Sequence, residues 1–183
     1  EESTTKEKIL KKVRAALISI ADNPFKDVDF NSPIYKEMTE SPDIEFAINL
    51  KEAGGTFIYC ENEKAISENL RILMKQKSWK EVFTPDERIH GLLNLENIAV
   101  NNEKSDFSSL KVGVTRCEFL IARFGSIMVS SGLLSGRRMF AFPETHIVIG
   151  AASQVVPEIR DALSGMKKRY SADLPSQITV ISG

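Results

Sequence analysis

Apolar and polar positions alternate along this chain in blocks that predict helices and strands in turn. Blocks with apolar residues at helical spacing predict amphipathic helices: one that follows Ser41-Pro42 and ends at Gly54, then Asn62–Lys75, a helix that begins at Thr84-Pro85, Cys117–Phe124 and Ser153–Tyr170. Short apolar runs between them predict strands: Thr56–Cys60, Glu81–Phe83, Ile98–Val100, Lys111–Val114, Ser126–Ser130, His146–Gly150 and Ile178–Ile181. Strands that alternate with helices indicate an α/β fold with a mostly parallel sheet.

The N-terminal segment predicts an additional helix. Thr4 and Glu7 can form a capping box. The residues that follow have an apolar set at helical spacing, which predicts one buried face: Ile9, Leu10, Val13, Ala16, Leu17 and Ile20.

An extended arm or linker is expected after this helix. Residues Ala21–Ser41 are rich in Pro, Asp and Asn, and a loop of this length is often functional or contacts another subunit. We therefore expect an N-terminal helix and arm in residues 1–40 and an α/β domain in residues 41–183.

Composition narrows the classes of function. The chain has 24 basic and 25 acidic residues, so its net charge of −1 does not indicate a nucleic-acid partner. No apolar stretch approaches the roughly 18 residues of a membrane-spanning helix, and the N-terminus is unlike a secretory signal. We expect a cytoplasmic protein with no nucleic-acid partner and no membrane span.

The cysteine count excludes one class of metal site. Cys60 and Cys117 alone cannot supply the four thiolates of an iron–sulfur or structural zinc site within this chain. Only two histidines occur, so no metal ligand is assigned. Cys60 is expected to be a small buried residue and Cys117 to be more exposed, with no base to activate its thiol.

The run Gly113–Gly150 contains the residues that we consider candidates for a functional site. It places polar residues at the ends of predicted buried strands, where ligands usually bind in open α/β sheets. Phosphate-loop, dinucleotide-binding and zinc-protease motifs are all absent from the sequence. The evidence is therefore a group of single residues, each with a structural alternative.

Glu118 is the candidate catalytic residue, as a base or nucleophile if it is buried near the sheet edge. The alternative is a solvated helix residue. Gly125 and Ser126 could hold an anion through backbone N–H groups, although Gly125 also suffices as a helix stop.

The other candidates would bind a small anion. Ser130, Ser131 and Gly132 follow a buried strand, where hydroxyl and amide groups often bind phosphate or carboxylate, but they are also ordinary turn residues. Arg137-Arg138 could clamp an anion or form a surface loop or subunit contact. His146 could act as an acid, a base or a ligand contact, or be structural.

The same run carries a family resemblance. The string GVTRCEFLIARFGSIMVSS, a Gly-Arg loop, FPETHIV and a long helix together resemble the LUD domain, the lactate-utilisation family with LutC- and YkgG-like members. Family sequences commonly read V-T-x-A-x-x-A-I-A-D-T-G-T, then an apolar strand, then L-x-P-x-H-I. The matching positions here are Val114, Thr115, Ile121, Ala122, Gly125, Ser126, Pro143, His146 and Ile147.

The resemblance implies a fold and a pathway. The fold would be a three-layer α/β/α sandwich of the NagB/RpiA/CoA-transferase-like superfamily, which includes ribose-5-phosphate isomerase, glucosamine-6-phosphate deaminase and CoA transferases. LutC-like proteins work with iron–sulfur partners, LutA- and LutB-like, that convert L-lactate to pyruvate. The clusters would then lie in the partner chains, and this chain would hold no cofactor.

The sequence departs from the family pattern in two places. Arg123-Phe124 stand where the family has Asp-Thr before the glycine. The family's G-P-S-R-T-A-D-I-E-like segment would begin near Ser182-Gly183, so we expect part of the pocket to be missing from this chain.

Three functions remain open from the sequence. The first is a LUD-domain protein that supports lactate oxidation and binds a small anion or a partner. The second is a stand-alone enzyme on a phosphorylated sugar, folate or CoA ester, which rests on fold analogy. The third is a non-catalytic oligomeric scaffold that uses the arm, as a homo-oligomer.

Overall fold

The computed structural model describes residues 4–18, 29, 37–101 and 110–182. The chain divides into two compact units, residues 1–37 and 38–183. The predicted boundary at residue 40 stays a prediction. Most of the predicted arm Ala21–Ser41 lies outside the described residues.

The first unit contains the predicted N-terminal helix, α1 (Thr5–Ile18). Its capping box is confirmed, because Thr4 N donates to Glu7 Oε2 at 2.8 Å and Glu7 N donates to Thr4 Oγ1 at 3.3 Å. The predicted buried face is wrong for Ile9, Leu10 and Val13, whose side chains are exposed.

The second unit contains two four-stranded sheets and the helices that pack on them. The helices are α2 (Pro42–Glu52), α3 (Glu63–Lys77), α4 (Glu87–Asn94) and α5 (Ile159–Tyr170). The strands are β1 (Val82–Phe83), β2 (Val100–Asn101), β3 (Val112–Arg116), β4 (Phe119–Ile121), β5 (Ser126–Ser130), β6 (Thr145–Ile149), β7 (Val155–Val156) and β8 (Ile178–Ser182). No helix in the described ranges is long and apolar enough to cross a membrane.

The first sheet is parallel throughout, in the order β2-β1-β3-β6. The second sheet is mixed, in the order β7-β4-β5-β8: β4 and β7 are parallel, whereas β5 is antiparallel to both β4 and β8. Only Cys117 and Glu118 separate β3 of the first sheet from β4 of the second. The predicted α/β class is confirmed, and the architecture is compatible with a three-layer sandwich.

Each sheet gains its core from helices. Helices α3 and α4 pack on the first sheet through Leu70, Met74, Ile89 and Leu93. The second sheet is covered on both faces, because successive strand residues point to opposite sides. Leu120 and Val129 face Phe46 and Leu50 of α2, while Ile121 and Met128 face Ala162 and Met166 of α5.

Helix starts follow side-chain capping, with one shift from expectation. Asn62 caps α3 by accepting a hydrogen bond from Ala65 N at 2.9 Å. The helix predicted to begin at Thr84-Pro85 begins later: Asp86 caps α4 by accepting from Arg88 N at 3.1 Å. An ionised carboxylate is a stronger acceptor than a hydroxyl, and it also favours the positive end of the helix dipole.

Three predicted elements are wrong. The predicted helix Cys117–Phe124 is instead a strand at Phe119–Ile121 followed by a 3-10 turn at Ala122–Phe124. The apolar run is buried on both faces, so it lacks the alternation that would have indicated a strand. The last helix begins at Ile159, after Pro157, because Val155 and Val156 pair with β4. Thr56–Cys60 is not a strand, and its aromatic residues Phe57 and Tyr59 are exposed.

Gly125 fixes the contact between the second sheet and α2. Its φ is +57°, and a Cβ there would lie 2.0 Å from the backbone nitrogen of Leu50. Asn49 of α2 donates from Nδ2 to the carbonyls of Ala122 and Arg123 at 2.9 and 3.2 Å. Close backbone packing therefore requires a residue without a side chain at this turn.

Substitution of Gly125 by Ala is expected to lower the free energy of unfolding by about 2–5 kcal/mol, from backbone strain and from overpacking against α2. Two matched variants separate the causes, measured by urea unfolding. Gly136→Ala has a φ of +61° but open space, so it should cost about 1 kcal/mol. Gly91→Ala, in helix α4 with open space, should be neutral or stabilise by up to about 1 kcal/mol. Equal midpoints for the Gly125 and Gly136 variants would contradict a contribution from packing against α2.

Candidate functional site

A buried carboxylate lies at the junction of the two sheets. Glu118 has an exposed fraction of 0%. Its Oε1 accepts hydrogen bonds from Ser130 Oγ at 2.5 Å and from Tyr170 OH at 2.7 Å. Its Oε2 accepts a short hydrogen bond from Nη1 of Arg169, with which it forms an ion pair. The alternative of a solvated helix residue is wrong, because Glu118 is buried and lies outside any helix.

Strand pairing brings Ser130 to this carboxylate. Glu118 N donates to Met128 O at 2.8 Å, which aligns the junction with β5 two residues before the strand ends at Ser130. The Ser130 hydroxyl then donates to Glu118 and accepts from Gly132 N at 3.1 Å. A Cβ on Gly132 would lie 2.9 Å from the Tyr170 hydroxyl oxygen, so the chain can approach the site closely there only without a side chain.

Sequence reasoning missed the two donors on α5. Arg169 and Tyr170 form the C-terminal end of this helix. Basic residues at a helix C-terminus ordinarily complement the helix dipole, so nothing local distinguished Arg169. Its partner is 51 residues earlier in the sequence, a separation that no local pattern can reveal. The Arg169 guanidinium also lies 5.2 Å from the centre of the Phe119 ring.

Burial decides which groups near Glu118 can react. Burial, and then the Glu118 charge, raise the pKa of the Cys117 thiol to about 12, so Cys117 is protonated near neutral pH and a poor nucleophile. The expected exposure of Cys117 is wrong, since only 2% of the residue is exposed. Burial and the hydrogen bond to Glu118 raise the pKa of Tyr170, which keeps this phenol a donor.

The arrangement favours Glu118 as an acceptor that holds other groups in place. Both carboxylate oxygens are occupied by donors, and no part of the residue is exposed to a substrate. The side chain of Arg169 is 44% exposed, so solutes can reach it. A catalytic role for Glu118 stays a prediction.

Ser131 and Arg137 extend the polar surface beyond Gly132. Ser176 links them: Arg137 donates to its Oγ at 2.5 Å, and the Ser131 and Ser176 hydroxyl oxygens are 3.3 Å apart. Ser131 also accepts from Gln177 N at 3.2 Å. The structure thus brings together five of the predicted site residues: Glu118, Ser130, Ser131, Gly132 and Arg137.

The remaining predicted residues lie elsewhere. Gly125 and Ser126 are at the opposite end of β5 from Ser130, and the Ser126 hydroxyl is 2.6 Å from that of Ser182. Arg138 begins a 3-10 turn at Arg138–Phe140. His146 is in the first sheet, on β6. Their assignment as ligand contacts stays a prediction.

His146 is held in its neutral form. Its Nε2 is 2.7 Å from the hydroxyl of buried Thr115 on the neighbouring strand, and its ring centre is 5.9 Å from that of Phe140. Burial lowers the pKa of His146 to about 4. At neutral pH it therefore offers a neutral imidazole rather than a cation for an anionic ligand.

Potential metal ligands are dispersed in the ranges that the structure describes, which contain no group of three or more His, Cys, Asp or Glu side chains able to hold an ion.

Comparison with known proteins identifies a family model and two curated relatives. The model described as the LUD domain matches residues 44–183. Lactate utilization protein C of Geobacillus sp. (strain WCH70) is 23% identical over 158 residues, which cover 82% of this chain and 62% of that protein. Lactate utilization protein B of Shouchella clausii (strain KSM-K16) is 33% identical over 84 residues, 44% of this chain and 18% of that protein. The chain thus spans less than two thirds of the length of either relative.

A solved structure has a similar fold. The crystal structure of a DUF162 family protein from Deinococcus radiodurans matches with a TM-score of 0.65 at 16% identity, over 77% of this chain and 86% of that chain. At this identity the likeness establishes the fold alone.

Removal of the Glu118 charge is expected to destabilise the protein. In Glu118→Gln, the carboxylate that accepts from Arg169, Ser130 and Tyr170 is lost, and the free energy of unfolding should fall by about 2–4 kcal/mol. Tyr170→Phe removes one hydrogen bond and should cost about 1 kcal/mol. The matched control is Glu68→Gln in an exposed pair with Lys64 at 3.5 Å, expected to cost less than about 0.5 kcal/mol. Denaturant unfolding of the three variants measures these differences. Equal stability of the Glu118 and Glu68 variants would refute the role of Glu118 as an acceptor that holds Ser130, Arg169 and Tyr170 in place.

The buried imidazole of His146 gives a pH dependence of defined sign. Its folded pKa of about 4 lies below the ordinary histidine value of 6.5, so the unfolded chain binds the proton more tightly. The contribution to stability is complete above pH 6.5 and is lost as the pH falls toward 4. At about 1.4 kcal/mol per unit, the loss should approach about 3 kcal/mol. His146→Gln should flatten this part of the stability curve, measured by urea unfolding between pH 4 and 7. An unchanged slope in this variant would exclude the assignment to His146.

Proposed function

The chain belongs to the LUD domain family, and on that premise we propose that it acts in lactate utilisation, supporting the oxidation of L-lactate to pyruvate. The observation that carries the proposal is the family match over residues 44–183, which includes both sheets. Two relatives of this chain bear the names Lactate utilization protein C and B. The sequence similarity of these two relatives to this chain is the basis for proposing a role in lactate utilisation for this chain.

Electron transfer belongs to partner proteins in this proposal. The oxidation of lactate to pyruvate releases two electrons, which iron–sulfur clusters can carry. The whole sequence has two cysteines, and burial holds the thiol of one of them protonated. The clusters would therefore lie in LutA- and LutB-like partners in the cytoplasm, and this chain would contribute binding.

The polar surface around Arg169 and Arg137 supports a binding role for this chain. Arg169 is partly exposed above a buried carboxylate, and Arg137 is oriented by Ser176. A guanidinium held in place in this way can bind a small anion or an acidic side chain of a partner by charged, forked hydrogen bonds. This surface needs no chemistry by Glu118 itself.

Deletion of the gene tests the proposal. Growth on L-lactate as the carbon source, and lactate-dependent electron transfer in extracts, should both be lost in the deletion strain. Growth on pyruvate should be retained, because pyruvate is already the product of the missing step. A copy of the gene should restore both properties.

Unchanged growth and electron transfer on lactate in the deletion strain would overturn this function. Turnover of a phosphorylated sugar, folate or CoA ester by the purified chain alone would instead support a stand-alone enzyme. Loss of lactate oxidation together with a stable complex with iron–sulfur proteins would support the proposed function.

A further inference from the structure

The parallel sheet has a topological switch point between β1 and β3. From β1 the chain continues through α4 to β2 on one side, and it then returns to place β3 on the other side of β1. In open α/β sheets, ligands bind in the crevice outside the carboxyl ends of the two strands at such a point. Neither Asp86 nor Arg116, which lie at this point, is among the predicted site residues.

An ion pair spans the two strand ends at this point. Phe83, the last residue of β1, pairs with Gly113, and β3 continues from there to Arg116. Asp86 follows β1 by three residues. Arg116 Nε donates to Asp86 Oδ2 at 2.6 Å, so the pair joins the carboxyl ends of both strands.

Asp86 is buried and held in place by hydrogen bonds on both sides of its pair with Arg116. Its side chain is 4% exposed, and its Oδ1 accepts from Arg88 N at 3.1 Å. Its backbone N donates to the Oγ1 of buried Thr84 at 3.3 Å. Because both carboxylate oxygens are engaged, Asp86 fixes the position of the guanidinium and does not face a ligand.

The Arg116 guanidinium has donors that Asp86 does not engage. Its side chain is 34% exposed, and Nε is the guanidinium nitrogen that Asp86 engages. The hydrogen bonds between residues in the described ranges leave its two terminal nitrogens without a partner. Those two nitrogens form the planar fork that matches the two oxygens of a carboxylate.

The adjacent part of the sheet edge is closed. Beside β3, the segment after β6 covers the junction: a Cβ on Gly150 would lie 3.1 Å from Cys117 Sγ. Gln154 donates from Nε2 to the carbonyls of Cys117 and Glu118 at 2.7 and 3.1 Å. Arg116 lies on the other side of β3, toward β1, and its side chain is 34% exposed.

We infer that the terminal nitrogens of Arg116 bind the carboxylate of a small organic acid at this switch point, with Asp86 as the positioning residue. The location rests on the geometry alone. The choice of a 2-hydroxy or 2-oxo acid, rather than phosphate, rests on the proposed function.

Calorimetric titration of the purified chain with L-lactate, pyruvate and inorganic phosphate tests this site. At least one of the two carboxylates should bind, and Arg116→Gln should raise its Kd about tenfold or more, because a charged, forked contact is lost. Arg116→Lys should also bind weakly, since a single ammonium cannot both pair with Asp86 and present a fork. Arg71→Gln is the control: it removes the same charge and an ion pair with Glu96 at 3.2 Å, away from the strand ends, and should bind as the wild type does.

Asp86→Asn separates positioning from folding. The amide keeps the size of the side chain but loses the charge that holds Arg116 Nε, so the Kd should rise by less than in Arg116→Gln. Circular dichroism shows whether each variant is folded, and Arg116→Lys decides the question if Arg116→Gln is not. A purely structural ion pair would lower the melting temperature of these variants and leave the Kd unchanged in the folded protein.

The site is overturned if neither carboxylate binds the wild type, or if folded Arg116 variants bind as the wild type does. Phosphate binding that depends on Arg116, without carboxylate binding, overturns the ligand class. Growth on lactate reports separately on the proposed function. A deletion strain that grows normally while the purified chain shows Arg116-dependent carboxylate binding would refute the function and retain the site.

Discussion

The two sheets depend on the burial of one charged group, the Glu118 carboxylate, at the point where the chain passes from one to the other. A carboxylate with an exposed fraction of 0% is stable only if donors replace the water it has lost. Ser130, Tyr170 and Arg169 are these donors, and they come from the end of β5 and the end of α5. The requirement to satisfy one acid therefore fixes a strand end and a helix end at the junction between the sheets.

The junction is also held through its backbone. Cys117 and Glu118 lie between β3 of one sheet and β4 of the other, so their buried carbonyls need hydrogen-bond partners from other segments. The Gln154 amide donates to both, and Glu118 N donates to Met128 O. Side-chain and backbone requirements at the junction are met by different segments, which is why residues far apart in sequence converge there.

The sequence predicted the alternating pattern well, because strand periodicity and capping are local. Strands β1, β3, β5, β6 and β8 lie within one or two residues of their predicted positions, and helix α3 within two. The helical assignment of Cys117–Phe124 failed because a short run that is buried on both faces has no diagnostic period. Ser130 could be placed near Glu118 only as a general expectation about strand ends, whereas Arg169 and Tyr170 carried no local signal. Pairing across about 50 residues is a property of the topology.

A buried acid paired with a partly exposed arginine occurs on both sides of the junction. Asp86 holds Arg116 and Glu118 holds Arg169; in each pair the acid is almost fully buried and the arginine is one third to one half exposed. Burial of an acid is costly, and an apolar residue of similar size would often stabilise a core as well or better. An ion pair that exists only for stability gains little from exposing its cation, because solvent weakens the attraction. A buried acid beneath an exposed arginine does gain orientation, since the guanidinium loses less rotational freedom when a ligand binds. The difference in burial between acid and arginine therefore favours the interpretation that Arg116 and Arg169 are positioned for a partner or ligand, over the interpretation that the two ion pairs only stabilise the core.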